Sequence, residues 1–165
     1  MPVIKVADRF GLLDKAVLAL TKNGVYVGIP GGDARTPVKG EPAPPSNATI
    51  GYIQEFGAPD QHIPARPFLV PGVQSAQERI VSIYRSAGKA VLTGDFQAIE
   101  AAHQKVGLIA TDAVRRQIDD GTFAPLSERT LAARKARGVT REKPLVDTGE
   151  MRRSIQYMVK PKKGA

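Results

Sequence analysis

The chain has 165 residues, a net charge of +8, no cysteine and no tryptophan; 42% of it is hydrophobic and only 5% aromatic. Without cysteine there can be no disulfide and no thiolate metal site, which fits assembly in a reducing cytoplasm. No apolar run approaches the roughly 18 residues that a membrane span needs, and the first residues lack the long apolar core of a signal peptide. The expectation is one soluble domain over residues 1–165, long enough to bury a core.

Phe10, Leu13, Val17 and Leu20 recur at helical spacing within residues 7–22, with Gly24 as a stop. Val25-Tyr-Val-Gly-Ile29 then reads as a short strand ended by Pro30-Gly-Gly. From Gly31 to Ser46 glycines and prolines exclude any regular element. Extended, those sixteen residues span up to ~55 Å, against a radius of gyration of ~15 Å for a compact chain of this length. The segment is either a surface loop or an arm onto a neighbouring subunit.

The next stretch organises the chain. Asn47 is a good N-cap, Ile50, Ile53 and Phe56 share a face, and Gly57 ends the helix. Pro59, Pro64, Pro67 and Pro71 then make a stiff extended loop anchored by Phe68 and Leu69. Glu55 lies in the last helical turn, where the macrodipole disfavours an anion, and Arg66 is the nearest cation in sequence. The two form an orienting clamp, or both are solvated.

Two long helical patterns follow. The first runs from Val73 to Val91 and breaks at Thr93-Gly94; the second opens with Asp95 as N-cap and ends at Gly121. Together they form an αα-hairpin. His103 sits on the second stripe with no partner set for a metal or for catalysis, so it reads as a packed structural histidine. Ser127 caps a basic helix from Glu128 to Arg137, stopped by Gly138. Asp147 with Glu150 resembles a capping box, Ser154 to Val159 reads as a closing strand, and residues 160–165 form a basic tail. The fold class is α+β: a small sheet of short strands packed with a long αα-hairpin and short peripheral helices, plus the extended Gly/Pro-rich loop or arm.

The charge is uneven. From Glu128 onward eleven Lys/Arg face four Asp/Glu, whereas the first 127 residues are nearly neutral. Arg134, Lys135, Arg137, Arg141 and Lys143 are therefore the candidates to face DNA or an acidic partner. No phosphate loop, nucleophile elbow or zinc-helix spacing occurs. Asp147-Thr-Gly149 has no second copy to make an aspartic-protease pair. The reading is non-enzymatic, with no catalytic, cofactor-binding or metal-ligating residue, no cofactor and no small-molecule substrate.

Tyr52-Ile-Gln-Glu-Phe-Gly57, followed by Ile63-Pro-Ala-Arg-Pro-Phe-Leu-Val-Pro71, resembles the signature of bacteriophage virion-morphogenesis, neck or tail-completion proteins. A second block is similar to the same family's C-terminal pattern: Phe123-Ala-Pro-Leu-Ser127, Thr130, Arg134-Lys135, Gly138, Pro144-Leu-Val-Asp-Thr-Gly149, Met151 and Ser154-Ile155. The resemblance implies a structural virion protein, made in the host cytoplasm. It would form a homo-oligomeric ring, a hexamer by preference, at the neck or the head-proximal end of the tail. Its neighbours would be connector, portal-side or tail proteins. On that reading Glu55, Phe56, Arg66, Pro67, Phe68 and Leu69 are the subunit-interface candidates, and packaged DNA a non-specific contact. The alternative is a nucleic-acid-binding module using the basic C-terminal region; neither reading involves a membrane.

Overall fold

The structure is a computed structural model and describes residues 7–32 and 45–162. It is α+β: seven α-helices with a two-stranded antiparallel sheet among the described residues. Most of the Gly/Pro stretch proposed as an arm lies outside them. The chain divides into two compact units, 1–26 with 76–110 and 157–165, and 27–75 with 111–156.

The first unit is built on α1 (Ala7–Lys22), α4 (Gln77–Leu92) and the opening half of α5 (Gln97–Asp120). Asp95 accepts from the N–H groups of Gln97 and Ala98 at 3.1 and 3.2 Å, so it caps α5 as its sequence position suggests. Ala87 and Val91 of α4 meet Ile99 and Ala102 of α5, and Ala16 of α1 closes the cluster. Small side chains at these positions let the helices approach closely, which realises the expected hairpin. Strands β1 (Asn23–Gly28) and β2 (Gln156–Pro161) pair with each other. Both are shifted by about two residues from the apolar runs that predicted them, because backbone pairing sets strand limits. The Tyr157 ring packs against Gly107, where an added Cβ would clash with it, and its hydroxyl donates to Gln104 Oε1 at 2.9 Å.

The second unit holds α2 (Asn47–Phe56), α3 (Leu69–Ser75), the closing half of α5, α6 (Glu128–Ala136) and α7 (Glu150–Arg153). Its core joins Phe68, Val114, Ile118, Met151 and Ile155, with Ile29, Ile50 and Val73 packed around them. Gly72 of α3 runs directly against α5: a Cβ there would lie 2.7 Å from Val114 Cα.

Three expectations are corrected locally. The N-cap of α2 is Ser46, whose Oγ accepts from Thr49 N–H, while Asn47 is the first, buried helical residue. The pattern expected as one helix from Val73 to Val91 is two, because α3 begins at Leu69, takes Pro71 into its first turn and ends before Ala76. Asp147 does not cap α7. Gly149 occupies that position, and the Asp147 carboxylate accepts from Arg137 Nη2 at 3.0 Å instead.

Candidate subunit interface

On α2 the residues Asn47, Gly51 and Glu55 recur every fourth position and face inward. Tyr52 and Phe56, one step further round, face outward. They are 66% and 62% exposed, and their rings meet at a tilt of 49°, 4.9 Å between centroids. In a chain so poor in aromatics, two exposed rings in mutual contact are the most conspicuous apolar feature of this helix.

The inward face fixes that pair in place. Glu55 is buried, yet its carboxylate meets no cation among the described residues. Its Oε2 accepts from the backbone N–H groups of Phe68 and Leu69 at 2.7 and 2.8 Å, and Oε1 from Val70 at 3.0 Å. Those groups open α3, whose first N–H donors have no intrahelical partner and whose positive dipole end favours an anion. Glu55 is thus the cap of a helix that begins many residues downstream.

Arg66 is buried too, and it is held by acceptors that carry no charge. Nε donates to Ala124 O at 2.7 Å, Nη2 to Pro125 O at 2.8 Å and Nη1 to Gln54 Oε1 at 3.2 Å. Burial, and then repulsion from Arg134, push its pKa below the ordinary guanidinium value. The expected Glu55–Arg66 clamp is therefore corrected: two buried charges each bind backbone, and no ion pair joins them. Between them, Ala58 and Ile63 bridge across a 3₁₀ turn at Pro59–Gln61. The loop expected to be extended is corrected as well: it turns back at Pro59–Gln61, with His62 left-handed, and gives way to α3 at Leu69.

Of the six interface candidates, Phe56 and Pro67 lie on the surface, Leu69 is half-buried, and Glu55, Arg66 and Phe68 are internal. Tyr52 was missed, although its spacing four residues before Phe56 places both rings on one face.

The basic candidates divide in the same way. Arg134, expected to face DNA or a partner, is buried: its Nη1 donates to the carbonyls of Arg141, Lys143 and Val146 at 2.8, 2.9 and 3.3 Å. Lys143 Nζ donates to Asp119 O, and Arg137 is bound to Asp147. Lys135 and Arg141 are exposed and, with Leu131 and Val139, line a shallow cavity of about 310 Å³. Arg152, not among the candidates, grips Asp119 with bonds of 2.7–2.9 Å. Those hydrogen bonds raise its pKa.

Among the described residues no group of three or more His, Cys, Asp or Glu is placed to hold a metal ion. No helix there is long and apolar enough to cross a membrane. Comparison with known protein families, with curated proteins and with solved structures finds no match to this chain.

Proposed function

We propose that this protein is a structural component of a tailed-bacteriophage virion, assembling as a homo-oligomeric ring, by preference a hexamer, at the neck or head-proximal end of the tail. Besides the sequence resemblance, one observation carries the reading. The exposed, mutually touching Tyr52–Phe56 pair sits on a helix whose opposite face is locked by Glu55. Large aromatic side chains on a pre-ordered support lose little conformational entropy on docking, which is what a repeated contact requires. The neighbour is another copy of the chain or an adjoining connector or tail protein.

The test is electron microscopy and solution mass of the purified chain beside a Tyr52→Ser/Phe56→Ser variant. Closed rings from the wild type and folded, dissociated subunits from the variant support the reading. A wild type that stays monomeric at every concentration would overturn it. Tight DNA binding that weakens steeply between two salt concentrations would favour the nucleic-acid module instead.

A further inference from the structure

Helix α1 leaves part of its apolar surface uncovered. Ala16, Ala19 and Leu20 face the α4–α5 hairpin, while Leu13 and Val17 along the edge of that stripe and Leu18 further round stay 46%, 50% and 66% exposed. Three large apolar side chains left uncovered on one helix make a patch that a partner can cover. Leu13 and Val17 form an i, i+4 ridge, with Asp14 and Leu18 beside them one residue further on.

The same unit carries a complementary concavity. The outer side of the hairpin holds a groove of about 430 Å³, lined by Ser82, Ser86 and Ala90 on α4 and by Ala98, Ala101 and Lys105 on α5. The three α4 residues recur every fourth position, so small side chains leave a trough along the helix. Ridges of this inclination pack into such troughs in helix–helix contacts. Lys105 is the one charged side chain lining the groove, and Asp14 is the acid beside the ridge. Neither is in an ion pair among the described residues.

We infer that the exposed ridge of α1 in one copy docks into the α4–α5 groove of a second copy, with Asp14 against Lys105. Ridge and groove are different patches, so the contact is heterologous and repeats from subunit to subunit. One helix ridge falls short of the roughly 800 Å² per partner typical of a stable interface. It therefore works together with other contacts, and assembly depends on concentration. The inference deepens the ring reading but does not stand or fall with it.

The experiment measures self-association of the full chain by sedimentation, with thermal melts to check folding. Asp14→Lys and Lys105→Asp should each weaken association at least about tenfold, since each sets like charges together. The double swap should restore it. Ala101→Leu, at an exposed position, should fill the groove and weaken association without lowering the melting temperature. Open oligomers broken by these changes would uphold the contact and overturn the ring. Closed rings indifferent to all of them would uphold the ring and overturn the contact. Singles that weaken association with no recovery in the double swap would also overturn the pairing, as would a groove filled by the chain's own first residues, which leaves the mass unchanged in every variant.

Discussion

Glu55 and Arg66 carry opposite charges in one short stretch, and each is buried without the other. Backbone dipoles do the neutralising: three N–H groups for the carboxylate, two carbonyls and an amide oxygen for the guanidinium. Since neither charge relies on its opposite, the double change Glu55→Gln with Arg66→Ala should gain no rescue over the sum of the singles. His103 is the buried titratable group of the other unit, edge-on to Tyr84, with Nδ1 unpartnered. Burial lowers its pKa; Glu100 opposes that shift and Lys162 adds to it. The unfolded chain therefore takes up a proton near the ordinary value of about 6.5 while the folded one resists. Stability from this group is full above that value and is lost as pH falls through the folded pKa. The expected outcome is that the melting temperature of the wild type drops more between about pH 7 and pH 5 than that of His103→Leu. Parallel pH profiles would refute it.

At the scale of elements, α3 shows how a helix start can be decided from outside. Nothing in Pro64-Ala-Arg-Pro-Phe-Leu-Val-Pro71 is a local N-cap. Glu55, arriving from α2, supplies one, so α3 begins inside the proline loop and Phe68 is set at its threshold. Glu55→Gln keeps an acceptor oxygen but loses the charge, and a hydrogen bond to a charged group contributes about 1.5–3 kcal/mol. We expect a loss of about 1–3 kcal/mol in chemical denaturation, against about 3–5 kcal/mol for Phe68→Ala, which empties the centre of the second core. A Glu55→Gln variant as stable as the wild type would show that water can replace the carboxylate.

For the molecule as a whole, the +7 carried by the region from Glu128 onward is not one surface field. Arg134 ties the 141–146 loop to α6, Arg152 and Lys143 converge on Asp119, and Arg137 is spent on Asp147. What is left for a partner or for DNA includes Lys135 and Arg141, a smaller field than the composition suggests. Arg134→Gln should destabilise the fold by about 3–5 kcal/mol, because the three carbonyls that the buried guanidinium ties together lose their charged donor. Lys135→Gln with Arg141→Gln should change stability by no more than about 0.5 kcal/mol each. Denaturant titrations of the two variants decide the matter, and equal losses would mean that the exposed pair is structural after all.

The periodicities alone determined α1, the end of the first arm of the αα-hairpin and the whole of the second, α6 with its Ser127 cap and the stop after Asp120. Each is a local pattern whose information lies within a few residues of the element. The α+β class followed from the same patterns. Tertiary structure alone decided the division of 73–91 at Ala76, the cap of α3, the burial of Arg134 and the outward placement of Tyr52 beside Phe56. A charged side chain written in sequence shows its sign and its reach, but not whether its partner is an opposite charge, a backbone dipole or water. That depends on which distant segment arrives, and carbonyls and N–H groups, present at nearly every residue, leave no mark in the sequence to announce it.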